Sequence, residues 1–234
     1  MNRPTTFYGR GVKMYATLKS FLERTTFLGP LARRRRRKRF EKKYAEWGKK
    51  GSVLPMPHLG KQRVIAEYAE KFAPAILVET GTYRGDMVDA MLNQFEEIFS
   101  IELGDTLFEK AKKRFSRYNH VHVMHGQSGE VLPEILKGVT QPCLFWLDAH
   151  WSAGSTAKGE LETPILQELR CILNHASAEN HVILIDDARC FTGENDYPTL
   201  HVLKDFIREI HSSWIFEVKD DIIRIHSNKL SSQL

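Results

Sequence analysis

The sequence predicts a doubly wound α/β fold with a mostly parallel sheet and a reversed pair of strands at its C-terminal end. Short apolar runs of four or five residues alternate with longer amphipathic stretches, and the spacing leaves room for a helix after each of the first runs. Such alternation is typical of a parallel sheet covered by helices on both faces. The last two runs lie too close together for a parallel crossover. A length of 234 residues suits one such domain plus an appendage.

Five apolar runs are predicted as parallel strands, and polar residues follow each of them. The runs are Ala75–Val78, Ile98–Ile101, Val121–Met124, Cys143–Leu147 and His181–Ile185. The residues that follow are Glu79, Glu102, the stretch from His125 to Gly129, the stretch from Asp148 to His150, and the pair Asp186 and Asp187. Open parallel sheets bind their ligands at the carboxyl ends of the strands. We therefore expect the functional site at this edge.

Amphipathic stretches between and after the strands are predicted as helices. They are Gly104–Phe115, Glu130–Lys137, Glu162–Asn174 and Thr199–Ser212. The final runs, Trp214–Val218 and Ile222–Ile225, are separated by three residues, which predicts an antiparallel hairpin at the edge of the sheet.

Three histidines, His120, His122 and His125, have spacing that resembles a metal site. We expect their strand to lie inside the sheet, and we therefore assign them structural or surface roles.

The segment from Val78 to Gly85 joins the first strand to a helix through the glycines Gly81 and Gly85. Such a turn brings backbone N–H groups close to a nucleotide, as in Rossmann-like folds. The spacing misses the G-x-G-x-x-G pattern, and Glu79 would repel a pyrophosphate but attract the ammonium group of a methionine tail. These features favour S-adenosylmethionine over NAD, with Glu102 binding the ribose hydroxyls. An ordinary strand-to-helix turn is the alternative.

Through Glu79–Gly85, Leu147–His150 and Ile185–Asp187, the chain resembles the class I S-adenosylmethionine-dependent methyltransferases. Within that class it is similar to the metal-dependent sugar O-methyltransferases related to the macrocin O-methyltransferase, over about residues 60 to 228.

The resemblance implies roles for particular residues. The implied cofactor contacts are Glu79, Gly81, Tyr83, Gly85, Glu102, Gln127, Ser128 and Asp148, with Gln127 and Ser128 at the adenine ring. The implied ligands of Mg²⁺, or of Mn²⁺, are Asp148, Asp186 and Asp187. The family's catalytic base follows the first metal ligand by two residues and is usually an aspartate, whereas His150 stands there in this chain.

These residue types suit methyl transfer to a sugar hydroxyl, which is a poor acid. A hard cation on carboxylate ligands, including Asp148, would orient the acceptor oxygens and lower the pKa of the hydroxyl, and a neutral His150 imidazole could take the proton. Three carboxylates would repel one another without a cation. The alternatives are capping or loop-ordering roles for the aspartates, for Gln127 and Ser128, and for His150. The loop His150–Gly159 is rich in small residues and is predicted to be a lid.

The charge of the chain is concentrated in its N-terminal part. Residues 1–50 contain 16 of the 34 Lys and Arg residues but 3 of the 29 acids, a net charge of +13, which leaves 18 cations and 26 acids, a net of −8, for the rest. We predict a basic, partly helical arm over residues 1–58 and a methyltransferase-like domain over residues 59–234. The block Arg33–Arg39 could contact an anionic membrane surface, a protein partner or solvent alone. Nucleic acid is the least favoured partner because no stacking platform accompanies the cations.

Composition limits the remaining choices. The sequence has no apolar run long enough to span a membrane and no secretory signal, and Cys143, Cys171 and Cys190 are expected to be reduced thiols. We therefore expect a cytoplasmic enzyme that methylates a hydroxyl of a sugar or glycan, including a lipid-linked one. Peripheral contact with the inner membrane surface is one option for its location. An NAD-dependent sugar-modifying enzyme and a non-catalytic adaptor are the alternatives.

Overall fold

The computed structural model describes residues 29–148 and 163–231. The helices are α1 (Gly29–Lys49), α2 (His58–Phe72), α3 (Asp86–Met91), α4 (Asp105–Phe115), α5 (Ser128–Lys137), α6 (Ile165–Leu173), α7 (Leu200–Ile210) and α8 (Asn228–Ser231). The strands are β1 (Ile76–Thr80), β2 (Glu97–Glu102), β3 (Val121–His125), β4 (Cys143–Leu147), β5 (Val182–Ile185), β6 (Ile215–Lys219) and β7 (Ile222–His226). Short 3₁₀ turns cover Ala178–Asn180 and Ala188–Cys190.

The strands form one sheet in the order β3-β2-β1-β4-β5-β7-β6. The first five run parallel, whereas β7 is antiparallel to both β5 and β6. The predicted α/β class and the C-terminal antiparallel hairpin are thus confirmed. Strands β1, β4, β5 and β7 are buried along their whole length, as expected for a sheet whose centre is covered on both faces.

The expectation that the strand after His120 lies inside the sheet is wrong, because β3 is an edge strand. After β3 the chain crosses back past β2 and β1 to reach β4, so no described strand pairs with the outer side of β3. The three histidines contact different groups. His120 bonds the Leu92 carbonyl at 3.0 Å, His122 bonds Glu97 at 2.6 Å, and the His125 ring stacks on Phe108 at 4.6 Å.

Two helices begin at residues other than the predicted ones. The predicted helix from Glu162 begins at Ile165, because Pro164, which occupies the N-cap, disfavours helical backbone at Thr163 before it. The last long helix begins at Leu200, and the Thr199 side chain caps it by accepting a hydrogen bond from the Val202 N–H at 3.2 Å.

Contacts divide the described residues into two compact units. The residues up to Val53, together with Pro57–Leu59, form one unit, and Leu54–Met56 with the residues from Gly60 onward form the other. In the first unit the Phe40 ring lies 5.1 Å from the His58 ring, and the Trp47 indole donates to the Val53 carbonyl at 2.7 Å. None of the described helices combines the length and apolarity needed to cross a membrane.

Candidate active site

The sheet order creates a switch point between β1 and β4. These strands are neighbours, yet the chain continues from β1 towards β2 on one side and from β4 towards β5 on the other. Crevices at such points are the usual ligand sites of open α/β sheets. Here Glu79 and Thr80 end β1, Glu102 ends β2, and Asp148 follows β4 with its N–H bonded to the Thr80 carbonyl at 3.1 Å.

The backbone N–H groups of the turn after β1 donate hydrogen bonds to other groups of the protein. The N–H groups of Gly81 and Thr82 donate to the Ile101 carbonyl at 3.0 and 3.1 Å, and the Tyr83 N–H donates to the Glu102 carboxylate at 2.7 Å. The Gly85 N–H donates to the Thr82 carbonyl at 2.7 Å. These four donors therefore do not form a cradle for a pyrophosphate, in contrast to a nucleotide-phosphate turn.

Glu102 is held in place by two backbone donors. One of its oxygens accepts the Tyr83 N–H, and the other accepts the Gly104 N–H at 2.9 Å. An ionised carboxylate has about four acceptor positions, so each oxygen retains capacity for a further hydroxyl group. The carboxylate is thus oriented before any ligand arrives.

Glu79 is 2% exposed and accepts a hydrogen bond of 2.5 Å from the Ser100 hydroxyl, which also lies 2.6 Å from the Thr82 hydroxyl. Burial raises the pKa of Glu79 to about 8, and the neighbouring carboxylates of Asp148 and Glu102 push it in the same direction. Without a bound cation the group is therefore mostly protonated at neutral pH.

The ends of β4 and β5 bring three carboxylates together. Asp148, Asp186 and Asp187 each offer an oxygen, and these oxygens all lie within 4.8 Å of one another. The Asp186 N–H donates to the Leu147 carbonyl at 3.0 Å, and the Asp187 N–H donates to the Asp186 carboxylate at 2.8 Å. The donor set consists of hard oxygens and fits Mg²⁺ or Mn²⁺.

Lys61, on α2, is a site residue that the sequence analysis missed. Its ammonium group bonds the Asp186 carboxylate and lies 3.3 Å from Asp187, with the side chain 15% exposed. Burial alone would lower the pKa of Lys61, but the attraction of Asp186, Asp148 and Asp187 outweighs it and the pKa is raised. Lys61 shares a helical face with the buried Val64, Ile65 and Tyr68, which is the signal that could have revealed it.

A second cation, Arg189, also contacts the acidic group. The Arg189 guanidinium donates to Asp187 at 2.8 Å and to the buried Asp221, and the Arg189 N–H donates to Asp221 at 2.9 Å. Asp221 belongs to the turn between β6 and β7, so the C-terminal hairpin supports the acidic edge.

A small, partly open pocket lies beside the acidic group, lined in part by Asp148, Asp186, Tyr197 and Glu168. Glu168, on α6, is 1% exposed, and its Oε1 has no hydrogen-bond partner among the described residues. Burial raises the pKa of Glu168 to about 7, against hydrogen bonds from Ser128 and Thr80. Neither Glu168 nor the pocket was predicted.

The remaining predicted site residues are Gln127, Ser128 and His150. Gln127 is the N-cap of α5 but makes no side-chain capping bond, and the buried Ser128 hydroxyl bonds Glu168. Their assignment to the adenine ring stays a prediction. His150 and the predicted lid His150–Gly159 lie outside the described residues.

No family model matches the chain, and no curated protein matches it. Its specific resemblance to the macrocin-like sugar methyltransferases therefore stays a prediction.

Solved structures do match. The SAH-bound methyltransferase PaMTH1 of Podospora anserina is 15% identical, with 97% of this chain and 99% of that chain covered and a TM-score of 0.50. The O-methyltransferase TomG of Streptomyces achromogenes is 15% identical, with 74% and 80% covered and a TM-score of 0.43. An rRNA methylase of Streptococcus thermophilus is 13% identical, with 75% and 98% covered and a TM-score of 0.47. At such identities the first of these likenesses shows the fold alone, and this chain has the Rossmann-like fold of S-adenosylmethionine-dependent methyltransferases.

Proposed function

We propose that the chain transfers a methyl group from S-adenosylmethionine to a hydroxyl group of a sugar or glycan. The observation that carries this proposal is the set of acids around the switch point: Glu79 and Glu102 at the ends of β1 and β2, and Asp148 after β4. An acid at each of these ends suits an ammonium group and ribose hydroxyls rather than phosphates. The internally bonded turn donors further disfavour NAD.

In this proposal the two glutamates hold the cofactor. Glu102, oriented by the Tyr83 and Gly104 N–H groups, accepts hydrogen bonds from the ribose hydroxyls. Glu79 receives the ammonium group, which favours its ionised form and opposes the burial that raises its pKa. Cofactor binding near neutral pH therefore releases a proton from Glu79.

The acceptor hydroxyl must be oriented in line with the methyl group and must lose its proton. Asp148, Asp186 and Asp187 would hold a divalent cation, which when bound orients acceptor oxygens and lowers the pKa of the hydroxyl. We assign the proton-accepting role to His150, two residues after Asp148, on the strength of the resemblance. The sugar or glycan acceptor is likewise proposed from the resemblance.

Calorimetry with S-adenosylhomocysteine and NAD tests the cofactor assignment. Glu79→Gln and Glu102→Gln should each weaken S-adenosylhomocysteine binding about ten- to hundredfold, the worth of a charge-assisted hydrogen bond, whereas the exposed Glu109→Gln should not. Affinity of the unaltered protein should rise between about pH 6 and pH 7.5, and Glu79→Gln should abolish that rise. Binding of NAD instead would favour the NAD-dependent enzyme. Binding of neither ligand would favour the non-catalytic adaptor.

Methyl transfer from labelled S-adenosylmethionine to glycan extracts, read by mass spectrometry, tests the reaction. Asp148→Asn and Asp186→Asn, or chelation of the unaltered protein, should reduce transfer by orders of magnitude while S-adenosylhomocysteine still binds. Full transfer after exhaustive chelation would remove the metal from the proposal.

We also propose that α1 adsorbs to an anionic membrane surface. This helix has ten Lys and Arg residues against two Glu, and most of the cations are exposed. Its half-buried aromatic residues include Phe40 and Trp47, which make contacts within their own unit. An electrostatic contact, without insertion of an apolar face, is therefore the mode that the helix supports.

A further inference from the structure

Lys61 occupies the space between two of the three candidate metal ligands. Its Nζ bonds Oδ2 of Asp186 and lies 3.3 Å from Oδ1 of Asp187. The side chains of the two aspartates are 1% and 6% exposed. The ammonium group is therefore a buried counter-ion supplied by the chain itself.

Lys61 faces the oxygen of Asp186 that is the more open to a divalent cation. Oδ1 of Asp186 already accepts the Asp187 N–H at 2.8 Å, so Oδ2, the oxygen bonded to Lys61, is its more open ligand position. Mg²⁺ binds carboxylate oxygens at about 2.0–2.1 Å, well inside ordinary hydrogen-bond distance. A metal ion that joins Asp186 to Asp187 at these oxygens cannot share the space with the ammonium group.

The charges around this point leave room for a divalent cation. Among the described residues, the carboxylates of Asp148, Asp186, Asp187 and Asp221 are accompanied by the cations Lys61 and Arg189. When all six of these groups are ionised, their summed charge is −2, and their negative charge grows by one unit when Lys61 leaves.

We infer that Lys61 is the resident counter-ion of the candidate metal centre and that a divalent cation binds by displacing it from Asp186 and Asp187. The inference rests on the metal site of the proposed function. In the metal-free protein Lys61 holds the carboxylates together, and in the metal-bound protein its side chain is released. Lys61 consequently sets the metal affinity of the site below the value that the three aspartates alone would give.

The test measures Mn²⁺ binding to the full chain by electron paramagnetic resonance, which needs neither cofactor nor turnover. Lys61→Met keeps the aliphatic length but removes the charge. It should bind Mn²⁺ about ten- to hundredfold more tightly than the unaltered protein, since the competing charge-assisted hydrogen bonds are gone. Lys71→Met, an exposed position on the same helix, is the matched control and should leave the affinity unchanged. Equal or weaker Mn²⁺ binding by Lys61→Met would overturn the inference.

Thermal unfolding keeps the inference testable if Lys61→Met folds poorly without metal. Its melting temperature in chelator should lie below that of the unaltered protein, and Mn²⁺ should raise it by more than it raises that of Lys71→Met, because a ligand stabilises the state that binds it. Destabilisation that Mn²⁺ does not reverse would mean that Lys61 is a purely structural ion-pair partner. S-adenosylhomocysteine calorimetry on the same samples separates the two proposals. If the unaltered protein does not bind S-adenosylhomocysteine but the Mn²⁺ result holds, the methyltransferase proposal alone is refuted.

Discussion

Three glutamates near the switch point have similar burial but different surroundings. Glu102 accepts hydrogen bonds from two backbone N–H groups. Burial raises the pKa of Glu79 to about 8 and that of Glu168 to about 7. Glu79 has a proposed cationic ligand. Glu168 accepts hydrogen bonds from Ser128 and Thr80, but one of its oxygens has no partner among the described residues.

Glu168 should make stability depend on pH. A glutamate carboxyl ordinarily has a pKa of 4.5, and burial raises the pKa of Glu168 to about 7 in the folded protein, so between these values the unfolded state loses a proton that the folded state keeps. The free energy of unfolding therefore falls as pH rises through this window. Glu168→Gln removes the penalty and should be more stable than the unaltered protein at pH 8, by on the order of 1–3 kcal/mol, with the difference shrinking towards pH 4.5. Urea unfolding at several pH values measures this, and parallel pH profiles of the two proteins would contradict it.

At the scale of elements, the turn between β1 and α3 depends on Gly85. Its φ is +68°, and a Cβ there would lie 2.5 Å from Cε2 of the buried Phe115 on α4. Gly85→Ala should therefore destabilise the protein by about 1–3 kcal/mol through left-handed backbone strain and overpacking. The control is Gly48→Ala in α1, where a Cβ would meet no atom within 4 Å. Urea unfolding should separate the two variants, and equal loss in both would refute the role of the turn.

The helix α1 should bind anionic vesicles through its charge. Four exposed cations of α1 are Arg34, Arg35, Lys38 and Arg39. Replacing all four by Gln should lower the affinity for phosphatidylserine vesicles roughly a thousandfold, as measured by cosedimentation, since each cation contributes about 1 kcal/mol. Raised salt should have the same effect on the unaltered protein.

The matched control for α1 removes four exposed cations from the other unit: Lys110, Lys112, Lys113 and Arg117. It should retain most of the binding. Salt-insensitive binding, or equal loss in the two variants, would remove α1 as the membrane contact. Binding to nucleic acid but not to vesicles would reassign the partner.

At the scale of the whole molecule, the order of the strands decides which residues can form a site. Asp148 and Asp186 are 38 positions apart in the chain but follow neighbouring parallel strands, β4 and β5. The resemblance implied the grouping of Asp148, Asp186 and Asp187, and the structure brings their oxygens within 4.8 Å. Their role as metal ligands stays a prediction.

The sequence by itself determined the strands, most of the helices and the final hairpin, because side-chain periodicity and loop length are local properties. Only the tertiary structure decided that β3 is an edge strand, since the hydrophobic pattern of a strand does not name its neighbours. It also decided that Lys61 meets Asp186 across 125 positions and that Arg189 meets Asp221 across 32. Such contacts depend on where the crossover connections place each helix and turn against the sheet, and no local pattern in the chain contains that information.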